Sequence, residues 1–301
     1  MKNFKNLDKG IILLVFLLAM LVGCKKQEST EKTVVSVKGS DTMVNLSQKW
    51  AEAYMKKNPN STIQVTGGGS GTGIAAILNG TMDIANSSRS LKDKEYAKAK
   101  ELGIEPFEIK VALDGIAVIV NPNNPINEIT LEQLRDLFTG KITNWKELGG
   151  NNSPITLYGR ENSSGTYEFF KEHVLGKDEN GETRDFASSA QVLQGTAALG
   201  EAVARDTKGV GYGGVGYFAV RTDLKILKVK KNADSPAIAP AEKGKVNYQA
   251  IWNNEYSISR YLYCYTNGKS EKIIQDFIEF ILSKEGQELV MQMEYIPLPT
   301  K

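Results

Sequence analysis

The run "YGRENSSGTYEFF", which starts at Tyr158, sets one cation, Arg160, beside Ser163, Ser164, Gly165 and Thr166, just ahead of an aromatic-rich helical pattern. A guanidinium offers a planar fork of N–H donors to two oxygens at once. Hydroxyls add further donors, and glycine lets the backbone approach a bound group closely. The first amides of a helix lack intrahelical partners, and the helix dipole adds partial positive charge there. Together these are the requirements of a dry oxyanion site.

Three other turns share this chemistry. "KGSDT" contains Ser40, Asp41 and Thr42, "GGGSGTG" contains Ser70, and "NSSR" contains Ser88 and Arg89. Three of the four turns fall between a strand pattern and a helix pattern. Each alone is weak, because serine ahead of a helix is commonly an N-cap and a glycine run commonly a turn. Four such turns with one arginine argue for a shared ligand.

Several enzyme chemistries fail on inspection. Gly68-Gly69-Ser70-Gly71-Thr72 misses the nucleophile elbow, since Thr72 replaces its last glycine. A Ser-His-Asp triad would rest on His173, the single histidine, which lies at an expected helix end where a surface or capping role is the simpler reading. There is no Walker A lysine, and "GGGSGTG" lacks the full dinucleotide spacing. One histidine and one free cysteine do not build a typical zinc site, and no cofactor is expected.

The elements that would position these turns read as α/β. "TVVSVKG" and "STIQVT" are β-branched strand patterns, each followed by a turn and a helical spacing. "MDIANSS" is a short strand, after which Ser90 is the expected cap of a helix ended by Gly103. "DGIAVIVN" is a buried strand. Thr130 and Gln133 have capping-box spacing ahead of a helix closed by Gly140. "GVGYGGVGYFAV" reads as strand, and "EKIIQDFIEFILSKEGQELVMQM" as one long amphipathic helix interrupted at Gly286. Strands alternating with helices predict mostly parallel sheets. "DGIAVIVN" and "RYLYCYT" are the candidate crossovers between two domains.

The chain has 301 residues, 41% hydrophobic and 24% charged, an ordinary globular balance with room for about two domains. Lys2, Lys5 and Lys9 precede an apolar run from Ile11 to Val22, which is shorter than the ~20 residues of a membrane span. Residues 1–23 therefore read as a signal peptide. Leu21-Val22-Gly23-Cys24 resembles the lipobox of bacterial lipoproteins, with Cys24 the lipidated residue and residues 24–32 a polar tether. Removing residues 1–23 takes away three lysines and one aspartate, so 37 − 3 = 34 basic and 35 − 1 = 34 acidic residues remain. A neutral mature chain implies no basic surface for nucleic acid. Cys264, with no partner if Cys24 is lipidated, is expected to be a small buried hydrophobe.

The segments "KGSDTM", "GGGSGTGIAAI", "MDIANSSR", "LDGIAVIVNPNNP", "LFTGKITNW", "GRENSSGTYEFF", "GVGYGGVGY" and "SKEGQELV" come in the order seen in phosphate-binding lipoproteins of bacterial high-affinity phosphate ABC transporters. The resemblance covers essentially the whole mature chain. It implies the type II periplasmic-binding-protein fold, an α/β architecture of two Rossmann-like lobes joined by two crossover strands. The lobes are expected at 33–118 with 260–301, and at 119–259. The resemblance further implies a monomer on the outer face of the cell membrane, with inorganic phosphate and the permease subunits as partners. Carried onto this sequence, Arg160 resembles the phosphate-clamping arginine. Ser164, Gly165, Thr166, Ser70, Ser40, Asp41 and Thr42 match donor positions. Ser88 stands where the best-known members have an aspartate that accepts the phosphate proton, and Asp41 is the candidate replacement. The simpler alternative is that Asp41 caps the helix beginning near Met43. A binding protein for sulfate or molybdate, a secreted phosphoester hydrolase and a surface adhesin remain rival functions.

Overall fold

The structure, a computed structural model, describes residues 33–268 and 270–299. The expected signal peptide, Cys24 and tether lie outside the described residues. Nine strands form the main sheet: β1 (Thr33–Gly39), β2 (Ser61–Thr66), β3 (Ile84–Ser87), β4 (Pro106–Val120), β5 (Thr156–Arg160), β6 (Gln191–Leu193), β7 (Gly209–Gly214), β8 (Lys225–Ile226) and β9 (Ser259–Asn267). Their order is β2-β1-β3-β9-β4-β7-β5-β6, with β8 also paired to β4. The β1–β2, β1–β3, β5–β6 and β5–β7 pairs are parallel, whereas β4 and β9 run antiparallel to their neighbours.

Successive side chains on a strand face opposite ways, and the sheet's first half uses both faces. On β9, Leu262 and Cys264 join Val35, Val37, Trp50, Phe277 and Val290 on one side. Tyr263 and Tyr265 join Ile74, Ile77 and Leu91 on the other. Helices α1 (Val44–Lys57), α9 (Lys272–Leu282) and α10 (Lys284–Gln292) supply the first layer, and α2 (Ser70–Leu78) and α3 (Asp93–Glu101) the second. A sheet covered on both faces explains the nearly continuous apolar strands.

A separate core lies around the second half, where Ile116–Val120 of β4 meet Leu157, Leu199, Val210 and Tyr212. Helices α4 (Leu131–Phe138), α5 (Gly165–Phe170) and α6 (Gly195–Arg205) belong to this half, as do two short helices, α7 (Val215–Phe218) and α8 (Tyr248–Trp252). Strand β4 serves both halves. It pairs with β9 from Pro106 to Gly115 and with β7 from Ile116 to Val120.

The helix expected after Thr130 forms with its capping box, Thr130 Oγ1 accepting from Gln133 N and Gln133 Oε1 from Thr130 N. Gly140 follows at φ +81°. Three local expectations change. Lys92, not Ser90, is the N-cap of α3, because Glu95 reaches back to the Lys92 amide. The C-terminal amphipathic run breaks at Ser283, whose Oγ accepts from Gly286 N. Gly286 instead permits close packing, since a Cβ there would lie 2.2 Å from Phe280 O. "GVGYGGVGYFAV" is strand only through Gly214, and Val215 opens α7.

Candidate functional site

The four polar turns meet at the seam between the halves. On the first half, β1 runs into Ser40 and a 3-10 turn at Asp41–Met43, β2 leads to Ser70 at the start of α2, and β3 ends beside Ser88. On the second half, β5 ends at Arg160 and α5 begins at Gly165. The halves touch through backbone as well, with Gly71 N donating to Ser163 O at 2.9 Å.

Arg160 is 1% exposed. Glu161 grips it in a fork, accepting from Nε at 3.1 Å and from Nη2 at 2.9 Å. Nη1 donates to Thr196 Oγ1 at 3.0 Å, and Nη2 reaches across the seam to Asp41 Oδ2 at 3.2 Å. Four of the five guanidinium protons thus have protein acceptors, and one on Nη1 is left over.

Asp41 does not cap the turn it opens. Its Oδ1 accepts from Gly68 N at 2.8 Å, and its Oδ2 faces Arg160. Burial pushes its carboxyl above the ordinary range, against the pull of the Gly68 amide and Arg160. For Glu161 burial acts in the same direction, but the Arg160 bonds outweigh it and its pKa falls.

The hydroxyls form two pairs. Ser70 Oγ and Ser88 Oγ are 3.2 Å apart, and Ser88 N donates to Ser70 Oγ at 3.0 Å. Gly165 lies against this pair, so that a Cβ there would come 2.3 Å from Ser70 Oγ and 2.6 Å from Ser88 Oγ. Thr42 Oγ1 and Thr166 Oγ1 stand 2.9 Å apart, one from each half. Ser164 Oγ caps α5 by accepting from the amides of Thr166 and Tyr167. Ser40 N donates to Asn86 O, while its buried hydroxyl has no partner among the described residues.

Comparison with known proteins places this architecture. The profile of the PBP superfamily domain matches residues 26–285. The phosphate-binding protein PstS of Pseudomonas aeruginosa is 34% identical over 280 residues, covering 87% of this chain and 82% of that protein. This chain belongs to the PBP superfamily and, within it, to the PstS family. PstS of Bacillus subtilis is 33% identical over 276 residues, 91% of this chain and 83% of that one. A crystal structure of a putative phosphate ABC transporter substrate-binding protein with bound phosphate, from Clostridium perfringens, superposes with a TM-score of 0.77 at 32% identity, covering 89% of this chain and all of that one. An ABC-type phosphate transport receptor from Vibrio cholerae gives 0.68 at 29% identity, covering 88% and 100%. The fold is thus the two-lobe type II architecture of PstS proteins.

In this PstS-family chain the seam holds a second guanidinium that motif reading does not single out. Arg260 of β9 is 6% exposed and pairs with the fully buried Asp114 of β4, its Nη2 lying 2.8 Å and its Nε 3.2 Å from Asp114 Oδ2. Burial pushes the Asp114 carboxyl up, and the Arg260 charge opposes that rise. The available signal is a charged residue at the head of each expected crossover, "DGIAVIVN" and "RYLYCYT", since charges in buried strands occur paired. Asp41, Glu161 and Asp114 accompany only two arginines here. An anion bound here would be held by directed donors more than by net positive charge.

Arg89 stays out of the seam's bonding. It forks onto Glu95 at 2.8 and 2.7 Å. His173 sits in a π-helical turn after α5 and stacks on Phe169, with ring centroids 4.2 Å apart. Cys264 is buried, its thiol pushed up to about 12 by desolvation, and donates to Asn86 Oδ1. Among the described residues no helix is long and apolar enough to cross a membrane, and no cluster of His, Cys, Asp and Glu has the makings of a metal site.

Proposed function

We propose that the protein binds inorganic phosphate outside the membrane and delivers it to the permease of an ABC transporter, without catalysing a reaction on it. The observation that carries this reading is the buried Arg160 at a seam where Thr42 and Thr166 pair across the two lobes and Gly165 lies against the Ser70–Ser88 pair. The names of the PstS relatives and the phosphate in the Clostridium perfringens structure support it. Arg160, Ser70, Ser88, Thr42 and Thr166 supply side-chain donors, the turn amides near Ser40 and Gly165 add backbone donors, and Ser164 holds the start of α5 in place. Asp41 is the acceptor for the phosphate proton, in place of the aspartate that Ser88 replaces. The lobes comprise 33–118 with 260–301, and 119–259.

Calorimetry with phosphate, sulfate and molybdate tests the reading. Phosphate should bind with clear preference, and a chain that binds sulfate equally well overturns the assignment of ligand. In the same reading the protein is a monomer anchored at the outer face of the cell membrane by lipid on Cys24. Cys24→Ser should move it to the soluble fraction. Retention on membranes after a salt wash would mean another anchor.

A further inference from the structure

We propose that Arg260 is a positioning residue of this anion site, directing the hydroxyl protons of Thr42 and Thr166 from the strand that joins the lobes. The inference rests on the oxyanion-binding reading of the site and adds a residue to it.

The Nη2 of Arg260 carries two protons. Its two short contacts are Asp114 Oδ2 at 2.8 Å and Thr166 Oγ1 at 2.9 Å, with Thr42 Oγ1 further off at 3.4 Å. A hydroxyl has one proton and two lone pairs. Thr166 spends one lone pair on Arg260, and the two threonines share one proton between them at 2.9 Å. If Thr42 donates, both lone pairs of Thr166 are filled and its own proton must point elsewhere. If Thr166 donates, Thr42 accepts from it, and the Thr42 proton is the one released. In either case the pair presents a single proton outward, with one lone pair of Thr166 held by Arg260. That is a donor pole for an unprotonated oxygen, complementary to the carboxylate of Asp41 at the Arg160 end.

Placement supports the role. Thr42 follows β1 on the first lobe, and Thr166 lies in α5 on the second. Arg260 and Asp114 are direct partners across the β9–β4 ladder, where β4 passes from one half to the other. Nη1 also reaches Gly165 O at 3.4 Å, and the guanidinium carbon lies 5.4 Å from the Phe169 ring centre. Asp114 thus holds the fork, and the fork holds a hydroxyl from each lobe.

The test is a double-mutant cycle read by calorimetry on the full chain. It compares Thr166→Val, the paired change Arg260→Gln with Asp114→Asn, and all three together. The paired change avoids leaving a lone buried carboxylate. Thr166→Val alone should weaken phosphate binding roughly tenfold, and the paired change roughly tenfold to a hundredfold. The combination should be little weaker than the paired change alone, because an undirected hydroxyl has little left to lose. Strict additivity, within the scatter of independent sites, overturns the proposal. Arg260→Lys keeps the charge and the Asp114 pair but not the fork, so it should weaken binding as well. Wild-type affinity in Arg260→Lys would make Arg260 a counter-charge and equally overturn the positioning role. If the paired variant does not fold, the cycle is run with Arg260→Lys and the same criterion holds. A wild-type chain that binds none of phosphate, sulfate or molybdate defeats the oxyanion reading itself, and that outcome is distinct from additivity in a chain that binds.

Discussion

At the scale of single residues, Arg160 and Asp41 have opposite tasks. Arg160→Ala removes the charge that Asp41 and Glu161 face, so two carboxylates are left against an incoming anion. Breaking a buried pair in this way costs about 3–5 kcal/mol, and phosphate affinity should fall by roughly a hundredfold or more. A loss under about tenfold in calorimetry (~1.4 kcal/mol) would remove Arg160 from the site. Asp41→Asn concerns selectivity. Phosphate near neutral pH keeps a proton to donate, whereas sulfate can only accept, and polar mismatches of this kind discriminate by up to ~10⁴ or more. In the proposed role the fixed Oδ2 beside Arg160 would accept that proton and repel a sulfate oxygen. The asparagine variant should bind phosphate more weakly and admit sulfate. Continued exclusion of sulfate with phosphate affinity intact would place the discrimination at another residue.

At the scale of elements, the strand–turn–helix unit is the working part, and Gly165 shows how tightly two such units meet. A methyl group on this residue would press into Ser70 Oγ and Ser88 Oγ on the opposite lobe. Gly165→Ala should therefore weaken phosphate binding by about tenfold or more while leaving the melting temperature close to that of the parent. A large drop in melting temperature with affinity intact would instead make Gly165 a packing residue of its own lobe. These units are readable in the sequence because each is local: a β-branched run, a glycine or serine turn and a helical spacing lie within one short window. The Arg260–Asp114 pair is not readable in that way. Its partners are 146 residues apart, and only the sheet register sets them face to face. The break at Ser283 is hidden for a related reason. Gly286 is the conspicuous residue, yet the side chain that turns the helix is a serine using its hydroxyl as a cap. The side chain of Asp41 is likewise ambiguous until Gly68 and Arg160 are seen on either side of it.

At the scale of the molecule, donors from both lobes converge on one small volume. A ligand that touches both sides binds the closed arrangement better and shifts the population toward it. Small-angle scattering should show a smaller radius of gyration with phosphate than without. An unchanged radius would count against hinge closure. The link between the lobes is a pair of antiparallel strands, β4 and β9, rather than a loose loop. Lys92 and Glu168 form a further ion pair across the seam, and Tyr295 OH bonds to Thr42 O, so the C-terminal segment steadies the first donor turn.

The position of β9 in the sheet order has a consequence for how the chain assembles. It is the last strand in sequence, yet it lies between β3 and β4, in the middle of the sheet. A polypeptide emerging from its N-terminus has made β1, β2, β3 and β4 long before Ser259 appears. Until then, the edges of β3 and β4 that β9 will cover carry unpaired amides and carbonyls, the kind of edge that invites pairing with another chain. The main-sheet strands around the second core are all in place by Ile226, although Val229, Val246, Ile251 and Tyr256 of that core still follow. The lobe that begins first thus finishes last, because its longest-range pairing, the slowest kind to form, needs almost the whole chain. A truncation just before Ser259 would leave the second lobe its strands and the first an open, aggregation-prone sheet.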